Sequence, residues 1–372
     1  MKYKVAISGS YGGMNLGDEA ILECILKELR SSIDADITVF SRNPKDTEAR
    51  HKVRAIPIRE MHKDEIIEEL KKLDLLILGG GGILFDNYVE IFLREVIWAK
   101  ELGIPVMVYA ISVGPLKLPE SKKLVADTLN QVEKITVREA EAKRILHDLG
   151  VNQEIEVTAD PALLLNPQEF TDEMMQKEGL DKEVPLVGFS IREPGPAAPD
   201  LKEEQYHTIL ANAADFMAER FKAQIMFVPM ELEKDMQQSH AVVSKMANVQ
   251  SARILKESYS ADQILGLVSR MEFAVGMRLH FLIFAAITKV PFVPLPYAPK
   301  VSGFLEDLEM IRPSITETNI GKLIAYIDRS WDVRKNIKSK LEEKVPVLID
   351  KGRRTNQILV EMLSSLTPRE GG

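Results

Sequence analysis

The sequence predicts an α/β protein of two doubly wound lobes, and three observations predict it. The chain is too long for one core, short β-branched runs alternate with longer amphipathic stretches, and a polar break falls midway. At 372 residues the chain has enough apolar material for two cores of ordinary size. In the first half, strands are read near Val5–Ser8, Ile37–Phe40, Leu75–Leu78, Val106–Ala110 and Lys134–Val137. From Leu165 to Pro185 the pattern turns polar, and a second series follows near Val187–Ser190, Ile225–Val228, Arg253–Leu255, Phe273–Gly276 and Phe292–Leu295. The expected organisation is a first lobe over 1–170, a second over 171–318, and C-terminal helices over 319–372 that pack back on the first lobe or present an ordinary solvated face.

Hydrophobic residues at 45% and charged residues at 28% describe a globular chain, neither disordered nor membrane-spanning. A net charge of −8 opposes broad attraction to nucleic acid, so no nucleic-acid partner is expected. The opening residues run straight into a strand with no apolar signal core, which predicts a cytoplasmic location. The apolar stretch Leu73–Phe85 is broken by glycines and too short for a transmembrane segment. Cys24 is the only cysteine and sits at helical spacing among aliphatic residues, which reads as a core thiol. No metal-ligand spacing is present, and neither a metal nor a cofactor is expected.

The turn after the first strand, Gly9 to Glu19, is glycine-rich and opens a helix. It matches neither the dinucleotide fingerprint nor the Walker pattern, since the glycine spacing, the ribose-binding acid and the Gly-Lys-Ser/Thr are all missing. Asn15, Gly17, Asp18 and Glu19 remain as polar or small groups at a helix start; Asp18 serves there as a cap, a substrate contact or both. The run Gly79–Gly82 follows the third strand, and its cost in backbone entropy suggests close approach to Gly80 and Gly81 by a ligand or by the opposite lobe, or else a sharp packed turn.

Cations mark the strand exits, where open α/β sheets bind ligands. Arg138, Arg192 and Arg278 each follow a predicted strand, and Lys300 follows the last. In an otherwise acidic chain this reads as a local anion pocket. Arg278, Leu279 and His280 stand where a strand becomes a helix whose free N–H groups favour an anion. His280 is the one histidine in such company, while His51, His62, His147, His207 and His240 read as surface residues.

At these residues the chain resembles the polysaccharide pyruvyl transferase family, most closely the bacterial CsaB-type cell-wall enzymes. The resemblance rests on Ser8-Gly9 through Asn15, Gly17-Asp18-Glu19, Gly79–Gly82 with Asp86, Val137-Arg138-Glu139, Gly276 to His280, and Tyr297, Pro299 and Lys300. It departs from the family at Ala110–Pro115, where a Gly-x-Gly-x-Gly-Pro is common. The resemblance implies two Rossmann-like lobes of the GT-B type with the active site in the cleft between them. It further implies phosphoenolpyruvate as co-substrate and a saccharide acceptor of the N-acetylmannosamine type, converted to a 4,6-linked ketal. An acceptor carried on a lipid diphosphate, with peripheral contact at the inner face of the plasma membrane, is compatible with it.

Phosphoenolpyruvate presents a carboxylate and a phosphate, which suits arginine forks. Arg138, Arg192, Arg278 and Lys300, with Leu279, Asn15, Gly80 and Gly81, are the expected binding residues. His280 is the expected acid/base, and Asp18 or Glu19 the group that accepts the sugar hydroxyl proton. The rival reading within this fold is a sugar-nucleotide glycosyltransferase, and a two-lobed solute-binding protein is the rival from another class.

Overall fold

The computed structural model describes residues 2–193, 202–295, 299–310 and 319–366, with Pro299 and Lys300 described by backbone alone. The chain divides into two compact units. The first comprises Met1–Met14, Asp18–Leu165 and Leu348–Gly372, and the second Asn15–Gly17 and Asn166–Val347.

The first unit contains β1 (Tyr3–Ser8), β2 (Ala35–Ser41), β3 (Arg54–Pro57), β4 (Leu75–Leu78), β5 (Gly81–Leu84), β6 (Val106–Val113), β7 (Lys134–Val137) and β8 (Ile155–Val157). All pair in parallel, in the order β3-β2-β1-β4-β6-β7-β8, with β5 joined to β6. Parallel strands covered on both faces need apolar side chains throughout. Accordingly β4 and all eight residues of β6 are buried. The strand order reverses between β1 and β4, which is the switch point of a doubly wound sheet.

The second unit contains β9 (Leu186–Ser190), β10 (Gln224–Phe227), β11 (Ala252–Ile254), β12 (Phe273–Gly276) and β13 (Phe292–Pro294). They form a parallel sheet ordered β11-β10-β9-β12-β13, so the winding of the first unit is repeated and the switch point lies between β9 and β12. Its core is aromatic as well as aliphatic, with Phe189, Phe227 and Phe273 fully buried. The helix Leu279–Ile287 is apolar on nearly every side and is buried except at His280 and Ile287.

The helix Ile320–Asp332 belongs to the second unit, where Trp331 stacks on Phe221 at 3.9 Å between ring centroids and Leu323 and Ile327 join the core. The long helix Arg334–Ser365 crosses the division, which falls at Val347/Leu348, next to Pro346 inside it. In its later part Thr355 donates to Thr158 and Asn356 to Ser32, both in the first unit.

Candidate active site

In the second unit the exits of β9 and β12 flank the switch point, and both carry arginine. Arg192 stands two residues beyond β9; its backbone carbonyl accepts from Tyr206 Oη at 2.6 Å and its guanidinium pairs with Glu193. Arg278 stands two residues beyond β12, in extended conformation as the residue capping the helix Leu279–Ile287. Its Nε donates to Asp235 Oδ2 at 2.9 Å, and its Nη2 donates to Glu231 Oε2 at 2.9 Å and to Asp235 Oδ1 at 2.5 Å. Asp235 is fully buried and also accepts from the backbone N–H groups of Met230 and Glu231. Burial pushes its carboxyl above the usual range, with Arg278 opposing. Glu231 lies below its ordinary value, because Lys234 and Arg278 together outweigh the effect of burial.

Residues 15–17 join this same group. Leu16 N–H donates to the Met230 carbonyl at 2.8 Å, Asn15 forms an antiparallel bridge with Glu231, and Asn15 Oδ1 accepts from Gly17 N–H at 2.9 Å. The His280 ring lies directly over Gly17: a Cβ added there would stand 1.9 Å from His280 Nδ1. Gly17 is therefore required by the close approach of a half-buried imidazole. Asn15, Gly17, Glu231, Asp235, Arg278 and His280 form one connected cluster. Leu279, between the two chemical side chains, is buried at the start of its helix.

In the first unit Asp18 is half-buried in the first turn of the helix Leu16–Ser32, and a Cβ on Gly81, whose φ is +106°, would lie 3.6 Å from its Oδ1. Glu19, the other expected base, is tied into the first unit by hydrogen bonds. It is 4% exposed, its Oε1 accepts from Gly12 N–H and its Oε2 is hydrogen-bonded to His51 Nε2 at 2.8 Å. His51 and His207 are buried, contrary to the surface placement expected, the latter bonded to Gln238.

At the glycine run protein side chains make the close approach to Gly79 and Gly80: a Cβ on Gly79 would lie 2.1 Å from Tyr11 Oη, and one on Gly80 3.0 Å from Ile21. Gly81 and Gly82 open β5, which replaces the predicted turn. Asp86 accepts from the N–H groups of Lys117 and Leu118 and so anchors the following loop.

Arg138 is buried, with Nη1 on Asp160 at 2.5 Å and Nε on Glu139 at 3.2 Å, and Glu139 also accepts from Ser112. Burial raises the Glu139 carboxyl against the pull of Arg138. The strand-exit arginines Arg138, Arg192 and Arg278 are each ion-paired, and for buried Arg138 and Arg278 the partner offsets the cost of burying the charge. Lys300 lies in the first turn of the helix Pro299–Asp307; its side chain, and Tyr297 entirely, lie outside the described residues.

Glu231 and Asp235 escaped sequence reading. Glu231 lies four residues beyond β10 and Asp235 in the first turn of the helix Leu232–Val243, too far from the strand exit to stand out in the sequence. Among the described residues no group of three His, Cys, Asp or Glu side chains is arranged to hold a metal ion.

A family model described as polysaccharide pyruvyl transferase matches residues 15–299. Comparison with curated proteins gave no significant match. Among solved structures, the UDP-GlcNAc 2-epimerase of Methanocaldococcus jannaschii is 16% identical at a TM-score of 0.64, covering 97% of this chain and 100% of that one. The UDP-GlcNAc 2-epimerase of Neisseria meningitidis bound to UDP-GlcNAc is 12% identical at 0.63, covering 98% and 100%. A glycosyltransferase from Rickettsia africae is 11% identical at 0.64, also covering 98% and 100%. At such identities the likeness shows the fold, which is GT-B, and not the reaction.

Proposed function

We propose, for a chain that belongs to the polysaccharide pyruvyl transferase family, that it transfers pyruvate from phosphoenolpyruvate to an N-acetylmannosamine-type sugar of a cell-wall or capsular precursor. The observation that carries this reading is the joining of Arg278 to Asn15 through Glu231, with His280 directly over Gly17, inside the stretch that the family model matches. In this reaction two sugar oxygens add to the enol carbon. The methylene gains one proton and becomes a methyl, and phosphate leaves with the second.

His280, held over Gly17, is the proton donor or acceptor in this reading. Arg278, with its plane fixed by Asp235 and Glu231, binds the carboxylate or phosphate of the donor. Arg192 and Lys300 assist with charge, and Asp18 accepts an acceptor hydroxyl proton. Arg138 contributes through the network it makes with Asp160 and Glu139. No cofactor is needed for this chemistry. No described helix is long and apolar enough to cross a membrane. An acceptor on a lipid diphosphate would be met by a cytoplasmic enzyme at the inner membrane face.

Phosphate release from phosphoenolpyruvate, measured against a panel of aryl-linked and lipid-linked saccharides, tests the proposal. Turnover with one of them supports it. Binding and cleavage of UDP-sugars with no effect of phosphoenolpyruvate would overturn it in favour of a sugar-nucleotide enzyme.

A further inference from the structure

The arginines at the exits of β7, β9 and β12 are each matched by carboxylates. In a second group of three arginines, in the first unit, only one is so matched. Arg42 follows β2 directly, Arg59 stands two residues beyond β3, and Arg94 lies on the helix Val89–Glu101. One carboxylate lies beside two of them: Glu95, 1% exposed, accepts from Ser8 Oγ at the end of β1, pairs with the guanidinium of Arg94 and feels the charge of Arg59. Among the described residues Arg42 and Arg59 have no carboxylate within ion-pair distance; Glu60 and Glu90, close in sequence, are exposed and do not pair with them.

These cations are held in place by other means. Arg42 Nη2 donates to the Ser10 carbonyl and hydroxyl at 3.1 and 3.0 Å, and it lies so close over the turn that a Cβ on Gly13 would meet it at 2.0 Å. Arg59 donates to the Ile91 carbonyl at 3.3 Å and lies over the Phe92 ring, while Arg94 donates to the Ile58 carbonyl at 3.1 Å and lies over Trp98. Carbonyls and rings orient a guanidinium without cancelling its charge. Half-buried Arg59 is accordingly pulled below its ordinary value, by burial first and then by Arg94 and Arg42, with Glu95 opposing. Three fixed forks and one buried carboxylate leave an excess of positive charge at the carboxyl ends of β1, β2 and β3, in a chain of net charge −8.

We propose that Arg42, Arg59 and Arg94 form an anion site for a phosphate or diphosphate group carried by the acceptor saccharide. Planar forks at the exits of β2 and β3 and on the helix beside them suit the several oxygens of a phosphate ester. That the anion belongs to the acceptor rests on the pyruvyl-transfer reading; that the site takes phosphate does not.

The probe is inorganic pyrophosphate, titrated calorimetrically into the full chain with phosphoenolpyruvate present at saturation so that the donor's own phosphate position is filled. Wild type binds pyrophosphate, Arg59→Gln and Arg42→Gln each weaken it about tenfold or more, and Lys71→Gln, an exposed cation paired with Glu68, leaves it unchanged. Melting temperatures show whether each variant is folded. Unchanged affinity in both arginine variants, or no pyrophosphate binding by wild type, overturns the site. In the kinetic arm Arg59→Gln raises KM for a saccharide diphosphate and spares that for the neutral glycoside; equal KM changes overturn the assignment to the acceptor. If no acceptor yields turnover, the transfer reading fails, and the titration, repeated without phosphoenolpyruvate, still decides the anion site.

Discussion

Arg278 meets Asp235 side-on: Nε donates to Oδ2 at 2.9 Å while Nη2 donates to Oδ1 of the same carboxylate. Asp235 Oδ2 also takes the N–H groups of Met230 and Glu231 at 3.0 and 2.9 Å. The carboxylate thus ties the arginine to the turn after β10, and the backbone of that turn is bonded to residues 15–17. A fully satisfied buried pair of this kind fixes the guanidinium plane more than it adds net stability.

Asp235→Asn keeps the size and one acceptor but leaves a buried arginine short of a counter-charge. Removing one partner of such a pair costs about 3–5 kcal/mol, and the second carboxylate, Glu231, moves the expectation to about 3. Urea unfolding measures it. A loss below about 1 kcal/mol would mean that Glu231 alone suffices to hold Arg278.

Most of the strands legible in the sequence have continuous β-branched or aliphatic runs, as in β4 and β12, because burial on both faces leaves a signal that needs no alternation. The missed strands lack it. β3 is four residues ending in proline, β8 is three residues, and β5 begins with two glycines, whose low strand propensity hid a segment that β6 holds in place through pairing. At the site, His280 and Arg278 were legible from their place at a strand exit. Their partners were not, since the contact of Gly17 with His280 and the clamp of Asp235 on Arg278 join residues far apart in sequence. Glu19 misled for the same reason: nothing local announces His51, 32 residues away.

Gly79→Ala places a methyl 2.1 Å from Tyr11 Oη and 3.1 Å from Ile7, both residues being fully buried. Overpacking of this kind costs about 1–3 kcal/mol. Tyr11→Phe removes a buried hydroxyl that has no hydrogen-bond partner among the described residues, so it is expected to be neutral or stabilising by about 1 kcal/mol. In the Tyr11→Phe background Gly79→Ala should cost less, by a coupling that a double-mutant cycle reads directly. Strict additivity would remove Tyr11 as the reason for the glycine.

Gly17→Ala tests the imidazole contact. The backbone there tolerates alanine, and alanine in a helix gains up to about 1 kcal/mol over glycine, so the fold should survive. The added methyl must push the His280 ring aside. A displacement near 1 Å costs about 10²-fold in rate where geometry matters. Turnover of phosphoenolpyruvate with an accepted saccharide should therefore fall while the melting temperature holds; unchanged turnover would show that the ring position over Gly17 is not used in chemistry.

His280→Gln separates the roles open to that residue. A positioned acid/base supplies about 10²–10⁴-fold in rate, so turnover at saturating donor should fall by about that range while the dissociation constant for phosphoenolpyruvate changes far less. Glutamine retains a donor and approximates the size, which makes it a cleaner probe of proton transfer than alanine. The half-buried position of the ring predicts little effect on stability, since the helix below it is anchored by fully buried neighbours such as Phe281 and Phe284. If the side chain served only to bind an anion, the substitution would raise the donor dissociation constant and spare turnover at saturation. If it served only to pack on Gly17, the melting temperature would move and neither kinetic constant would follow. Three measurements on one variant therefore distinguish the three roles: turnover, donor affinity and melting temperature. Near-normal turnover in a folded His280→Gln protein would end the acid/base assignment and pass the proton to Asp18 or Lys300.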